Sequence, residues 1–407
     1  MSGRRLFLML VLAGATLVSL LMASLGPDRT WSLWNIPPMH PCFADARNIT
    51  AGAESHRDGF DPMVDNPADP WHRPMDYPRV WQLLFQLGLS QRSTVALAVV
   101  MIVAFLGGIA LFARGIDRLT ACALALALFS PAVLLGIERA NITLLIFFLC
   151  AGALVMLRRS ATAAALLLTA AGVLMYYPFL GLACLAREGR RACLWLAGLS
   201  AVAGIAYMAL TWRDVILVLH DIERGTFMSY GLNVGWMTVR QLTHSNADTR
   251  AAVVVSVLLL AGAVMALVRS SRLKLRPAAA PDQQHLDGFR LGAAIYVGTF
   301  LMGNNWDYRL VFTLFCLPQV VDWSRDARHE LRLAARLALV ALLTSLWSQF
   351  LFPLAHHVPG GGIVALVVDE AADWLLLGAL LYLLPAALPD WLRGRGLAPA
   401  QVQMPVV

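Results

Sequence analysis

The sequence predicts an all-α polytopic membrane protein, a single integral membrane domain over residues 1–407 with about 12 transmembrane helices, some short or broken. Long apolar runs recur along the whole chain, and 59% of its residues are hydrophobic while 14% are charged. Soluble domains carry about 25% charged residues, so the composition excludes an ordinary soluble protein. Many of the basic residues lie in short segments between apolar runs, where they orient the spans. The net charge of +7 is therefore a topology signal, and no nucleic-acid partner is expected.

The first part of the chain predicts an anchor followed by a long outside loop. Arg4 and Arg5 precede an apolar run at 6–25, which indicates a retained signal-anchor helix with a cytoplasmic N-terminus. Residues 26–92 then form the first extracytoplasmic loop. Its tryptophan-containing apolar patches favour interfacial helices near 44–57 and 79–89. Further spans are predicted at 93–112, 119–135 and 142–157.

The apolar run 161–186 has arginines at both ends, which places both ends in the cytoplasm. That arrangement predicts a hairpin of two short helices, broken at Tyr176-Tyr177-Pro178, and one continuous span is the alternative. Broken backbone at membrane depth is tolerated only beside protein or a water-filled cavity.

The rest of the chain alternates spans with loops, and both termini are expected in the cytoplasm of a cell (inner or plasma) membrane protein. Residues 213–250 form a second extracytoplasmic loop, and 269–290 form a basic cytoplasmic linker. The six cysteines show no paired spacing and are interpreted as small buried hydrophobes. The remaining spans are predicted at 193–212, 251–268, 291–303, 310–321, 337–353 and 373–388.

Polar residues concentrate on the outer face, and this is the main functional signal in the sequence. The first extracytoplasmic loop, residues 26–92, is called loop one. It carries eight acidic residues, and composition does not distinguish Asp45 among them. Adjacent His356 and His357 do not share a helix face, so no metal site is expected there. The other outer polar stretches are 138–141, 233–241 and 304–309.

The predicted topology limits the chemistry of a group-transfer site on this face. Such a site has no access to nucleotide sugars, so its donor must be carried by a lipid, and a polyprenyl-phosphate sugar meets this need. The phosphate leaving group needs a cation, and the acceptor hydroxyl needs a general base. The outer arginines include Arg139, Arg240 and Arg309, and a guanidinium binds phosphate in two bonds.

Three motifs then resemble the GT-C membrane glycosyltransferases, nearest to family 87, the polyprenol-phosphate-mannose-dependent α-1,2-mannosyltransferases. The first is Asp45-x-Arg-x-x-x-x-Gly-Ala-Glu54 with the turn Gly59-Phe-Asp-Pro62. The second is Glu138-Arg-Ala-Asn-Ile-Thr-Leu-Leu145, similar to the family's Glu-Arg-Gly-Asn-x-x-Leu-Leu. The third is Asn305-Trp-Asp-Tyr-Arg309, similar to a Trp-Asp/Glu-His-His element. The resemblance spans most of the chain.

The resemblance implies a GT-C-like helix bundle and an inverting transfer of mannose or a similar hexose or pentose to a lipid or glycan acceptor. It assigns the general base to Asp45, and no cofactor is expected. Expected donor-binding residues are Glu138, Arg139, Asn141, Arg240, Trp306, Asp307, Tyr308 and Arg309. Expected acceptor-binding or loop-shaping residues are Arg47, Glu54, Asp61 and Tyr77.

The chain also departs from the family pattern. Ala140 stands in place of a glycine, and Tyr308 and Arg309 stand in place of histidines, which passes phosphate contact to Arg309. The segment 64–76 is an insertion outside the pattern.

Two other functional classes remain open. A transporter or lipid-linked-sugar flippase would place ionisable residues and broken helices at the bilayer midplane. The predicted helix interiors carry few charges, and the break at 176–178 is the feature that favours this class. A noncatalytic membrane scaffold would lack a defined cavity behind loop one.

Overall fold

A computed structural model of the protein describes residues 1–221, 225–244, 249–271, 282–355, 357–389 and 391–392. In these ranges the regular structure is helical, apart from one pair of two-residue strands. The all-α class is confirmed.

The first half contains eight α-helices and three 3-10 helices in its described part. The α-helices are α1 (Gly3–Leu25), α2 (Pro27–Leu33), α3 (Ala44–Arg57), α4 (Thr94–Phe112), α5 (Arg118–Leu128), α6 (Pro131–Arg139), α7 (Thr143–Leu157) and α8 (Ala161–Leu174). The 3-10 helices are Arg79–Leu87, Gln91–Ser93 and Tyr177–Arg187.

The second half begins with α9 (Arg190–Leu210), α10 (Trp212–Asp221), β1 (Ser229–Tyr230), α11 (Val234–Thr243) and α12 (Thr249–Ser271). It continues with α13 (Gln283–Leu301), β2 (Asn305–Trp306), the 3-10 helix Asp307–Phe315 and α14 (Leu317–Trp323). It ends with α15 (His329–Trp347), the 3-10 helix Ser348–Phe350, α16 (Leu351–Ala355) and α17 (Gly361–Ala387).

Four helical stretches of the described chain are long and apolar enough to cross a membrane. A fifth is present if the bent pair α5 and α6 counts as one span. Along α1 only Gly3 and Phe7 are buried in the protein, so its apolar surface faces outward, as expected beside lipid. Length and composition thus support a membrane protein with several spans. The four stretches are Gly3–Leu25, Gln91–Phe112, Arg190–Leu210 and His329–Ala355.

The span expected over 119–135 is broken in the middle. Pro131 is a first-turn residue of α6, and the residue before a proline is driven out of the helical conformation. Ser130 is accordingly extended, and its hydroxyl accepts a hydrogen bond from the Val133 N–H. The two helices meet at 51°, and α6 carries Glu138 and Arg139 to its C-terminal end.

The run 161–186 folds as the predicted hairpin, although its second half is a 3-10 helix. Gly172 lies against the Phe179 ring, and Gly181 lies against Leu168. The earlier residue 168 thus contacts the later residue 181, while residue 172 contacts residue 179. The two segments are therefore antiparallel. The break itself contributes Met175 and Tyr176 to a cavity described below.

Several predicted boundaries were wrong because polar residues lie inside helices. The expected linker 269–290 ends in α13, which starts at Gln283 and buries Asp287 and Arg290 as an ion pair. The last helix starts at Gly361 rather than near 373. The span expected at 310–321 is a 3-10 helix followed by α14.

A short antiparallel pair of strands joins the loop 213–250 to the polar stretch 304–309. Ser229 pairs with Trp306 and Tyr230 pairs with Asn305. Gly231 follows at φ +135°, and a Cβ there would lie 2.3 Å from the Gly303 carbonyl oxygen. The close approach therefore requires glycine, and it fixes the position of residues 304–309.

Candidate functional site

A cavity of about 850 Å³ lies where loop one meets the ends of α6 and α9, α10 and the β2 segment. Its lining combines polar and apolar side chains. The polar lining residues include Asp45, Asn48, Arg73, Asp76, Tyr77, Arg139, Tyr308 and Arg309. The apolar lining residues include Met175, Met208, Val215, Val218, Leu219, Met228 and Met302.

Asp45 lies in the first turn of α3, where the helix dipole favours a negative charge. The Asn141 side-chain amide donates to Asp45 Oδ2 at 2.6 Å. The Arg73 guanidinium lies 3.5 Å from Asp45 Oδ1, and the Asp45 side chain keeps 14% exposure. The carboxylate is thus held in place and still faces the cavity.

The motif at the end of α6 connects Asp45 to the helix core. Ala140 ends α6 in a left-handed conformation, φ +44°, which turns the chain sharply. Asn141 then accepts a hydrogen bond from the Thr143 N–H at 2.9 Å while it donates to Asp45. One amide therefore links the start of α7 to the candidate base.

Glu138 and Arg139 both contact the backbone of residues 37–39 in loop one. Glu138 is buried, accepts a hydrogen bond from the Met39 N–H at 2.9 Å and pairs with Arg139. Arg139 also donates to the Pro37 carbonyl at 3.1 Å. Arg139 lines the cavity, whereas Glu138 does not.

Arg73, in the insertion at 64–76, is a site residue that the sequence did not single out. It donates to the Ala44 carbonyl at 2.6 Å and pairs with Asp69 at 3.0 Å. Its guanidinium lies 4.7 Å from the Trp71 ring centroid. The insertion is fixed onto α3 further by Asn48, whose amide donates to the carbonyls of residues 73 and 74. A charged residue in a Trp- and Pro-rich stretch was the available signal, but many loop residues share it.

Asp76 closes the same insertion and places a second carboxyl group in the cavity. Burial and the neighbouring charge of Asp45 raise the pKa of Asp76 to about 6, against the opposing effect of Arg73. Sequence reasoning gave this residue no role.

Arg309 differs from the other two cavity arginines in its partners. It donates to the Asn305 side-chain oxygen at 2.6 Å and lies 5.3 Å from the Tyr177 ring centroid. Its Nε atom is buried without a hydrogen-bond partner. Within the described chain no carboxylate forms an ion pair with it, whereas Arg73 and Arg139 are paired. A partly buried guanidinium that forms no ion pair suits an anionic ligand.

The remaining predicted donor residues do not all meet at this cavity. Trp306 and Tyr308 line it. Asp307 is buried behind it and accepts a hydrogen bond from the Gln349 amide at 3.1 Å. Arg240 is exposed on α11 and does not line it, so the structure separates Arg240 from Asp45.

The residues expected to shape loop one are held in its framework. Arg47 donates to the Gln91 side chain at 3.1 Å, and Glu54 accepts two hydrogen bonds from Gln91. Asp61 pairs with Arg79 at 3.0 Å. Tyr77 is buried and lines the cavity.

The histidine pair contributes nothing to the cavity lining that the structure describes. His357 is exposed, and His356 lies outside the described residues. Among the described side chains, no group of three or more His, Cys, Asp or Glu residues is arranged to hold a metal ion.

Comparisons with protein-family models, with curated proteins and with solved structures give no match to this chain. The family resemblance therefore stays a prediction, and the function is argued from the cavity.

Proposed function

We propose that the protein is an inverting glycosyltransferase that moves a sugar from a polyprenyl-phosphate donor to a lipid or glycan acceptor. The observation that carries the proposal is the cavity, whose lining combines carboxylates and arginines with a large set of apolar side chains. A lipid-linked phospho-sugar likewise combines a charged head with an apolar chain.

The apolar lining residues of the cavity suit a polyprenyl chain. Val215, Val218 and Leu219 recur at helical spacing on α10, so they form one face of that helix. Met175, Met208 and several neighbours add flexible side chains that adapt to an irregular hydrocarbon. The outer surface of α9 is almost entirely exposed in the protein, as expected of a lipid-facing helix.

The polar lining residues of the cavity suit the reacting groups. No carboxylate of the described chain forms an ion pair with Arg309, so we place the donor phosphate beside it. In the transfer, the acceptor hydroxyl loses its proton to a base that contains Asp45, and its oxygen bonds to the anomeric carbon. The bond from that carbon to the phosphate oxygen breaks, and the electron pair leaves with the phosphate.

The finer topology belongs to the same proposal. We place the cavity on the extracytoplasmic side of a cell membrane, both termini in the cytoplasm, and about 12 helical segments between them. The short and broken helices, among them the α8 hairpin, account for segments that fall below the length of a full span.

The direct test uses purified protein in lipid nanodiscs with a sugar-labelled polyprenyl-phosphate donor and extracted cell-envelope lipids as acceptors. We expect labelled product and released polyprenyl phosphate. Asp45→Asn is expected to lower the rate by about 10²–10⁴, the usual contribution of a positioned base. Asp65→Asn, at an exposed acid of the same loop, is the matched control and should leave the rate unchanged. Full activity in folded Asp45→Asn protein would exclude Asp45 from the base.

A flippase for lipid-linked sugars is the second candidate, because the broken α8 hairpin borders the cavity through Met175, Tyr176 and Tyr177. It predicts that the labelled donor crosses a vesicle membrane with its sugar–phosphate bond intact. Movement without sugar release would favour this candidate.

A further inference from the structure

The cavity contains two carboxyl groups, and they differ in their hydrogen bonds. Asp45 is contacted by the Asn141 amide at 2.6 Å and by the Arg73 guanidinium at 3.5 Å. Asp76 faces the same cavity, and among the described residues no side chain of another residue donates a hydrogen bond to it. Asp76 thus has free acceptor oxygens where a substrate hydroxyl could bind.

Asp76 is also suited to accept a proton. Burial and the neighbouring charge of Asp45 raise its pKa to about 6. A base is most effective when its pKa lies near the working pH, and a carboxyl group without side-chain donors has an oxygen free for the proton.

We propose that Asp76 is a catalytic residue, the proton-accepting member of a two-carboxylate base in which Asp45 is its partner. This proposal rests on the proposed glycosyl transfer. The acceptor O–H bond breaks and its proton moves to an Asp76 oxygen, while the acceptor oxygen bonds to the anomeric carbon. The carbon–phosphate oxygen bond breaks with its electron pair on the phosphate. Asp45 supplies the neighbouring negative charge and holds Arg73 and Asn141 in position.

The charged and titratable groups around Asp76 set the expected pH dependence. Burial and Asp45 raise its pKa, and two arginines lower it by a smaller amount. The ionised form is the active base, so activity should rise as the pH increases through about 6. The groups that interact electrostatically with Asp76 are Asp45, Arg73, Tyr77, Tyr308 and Arg309.

The test measures transfer rates from labelled polyprenyl-phosphate sugar between pH 5 and 8 in full-length protein in nanodiscs. Asp76→Asn should lower the rate by about 10²–10⁴ at saturating donor, without weakening donor binding. Asp76→Glu keeps a carboxylate and should retain part of the activity and the acidic limb. Asp65→Asn, at the exposed acid of the same insertion, should behave as wild type.

A second variant tests the pairing even if Asp76→Asn fails to fold. In Asp45→Asn the neighbouring charge is removed, so the acidic limb of the residual activity should move below pH 6. An unmoved limb would contradict the pairing. Rates within threefold of wild type in folded Asp76→Asn would overturn the proposal while leaving the glycosyltransferase function intact. Absence of sugar release by the wild-type protein would instead count against the function itself.

Discussion

Three arginines face the cavity, and their partners decide what each one does. Arg73 is paired with Asp69 and lies beside Asp45, so its charge is used to hold the Asp45 carboxylate in position. Arg139 is paired with Glu138 and fixes the start of loop one. Arg309 has a neutral Asn305 partner and aromatic neighbours. The family resemblance had already passed the phosphate contact to Arg309, and the partners of the three arginines support that part of the proposal.

Arg309→Gln is expected to weaken donor binding by about 10–100-fold, because a charge-assisted hydrogen bond contributes about 1.5–3 kcal/mol. The measurement is the KM for the polyprenyl-phosphate donor, and the acidic limb of the pH profile should stay in place. Arg240→Gln is the control, since Arg240 is exposed outside the cavity. Equal effects of the two substitutions would contradict the assignment of the phosphate to Arg309.

At the scale of elements, the turn between α6 and α7 positions the site. Ala140 has φ +44° and ψ 54°, a left-handed conformation that costs a residue with a Cβ about 1–2 kcal/mol. It is fully buried and packs with Ala46 and Ala98. The Ala140 turn allows the Asn141 amide to reach both Asp45 and the first turn of α7.

Ala140→Gly should keep the free energy of unfolding within about 1 kcal/mol of wild type, because relief of the left-handed strain offsets the lost methyl group and the added chain entropy. Ala140→Val should lower it by more than about 2 kcal/mol, since a β-branched residue is strongly disfavoured at positive φ and the site is packed. Thermal or denaturant unfolding in detergent measures both. A stable Ala140→Val protein would show that the turn is not constrained as described.

The predicted helix bounds agree closely with the structure in loop one and less closely in the second half of the chain. Helices form at 44–57 and 79–87, close to where they were expected, although the second is a 3-10 helix and most of the first is buried in the protein. The break at 130–131 is caused by Pro131. The break at 175–176 lies where the chain reverses between α8 and the following 3-10 helix. The start of α13 was missed because its first two turns are polar, and polar residues usually mark a loop. Asp287 and Arg290 are buried in these turns because they form an ion pair in which the two charges neutralise each other.

At the scale of the whole molecule, loop one and the β2 segment meet although they are far apart in sequence. The strand pair with β1 and the α6–α7 turn bring them to one cavity. The proposed orientation puts this cavity outside the cytoplasm, where a lipid-borne donor is available.

That orientation predicts which thiols a membrane-impermeant maleimide reaches in intact cells. Cys42 is exposed in loop one and should be labelled from outside. In a Cys42→Ser background, Arg159→Cys should react only after the membrane is permeabilised, because residue 159 lies in a loop predicted to be cytoplasmic. Labelling of Arg159→Cys in intact cells would reverse the topology.

The sequence by itself determined the membrane class, the helical fold and the loop that carries Asp45. Apolar runs and basic loops act locally through partition into the bilayer, so composition and periodicity are sufficient to reveal them. Only the tertiary structure decided which polar residues share a cavity. It brought in Arg73 and Asp76 from an insertion without a recognisable pattern, and it left out Arg240, Glu138 and Asp307. Such choices depend on contacts between distant segments, and hydrogen bonds, ion pairs and burial at those contacts are not encoded in local sequence.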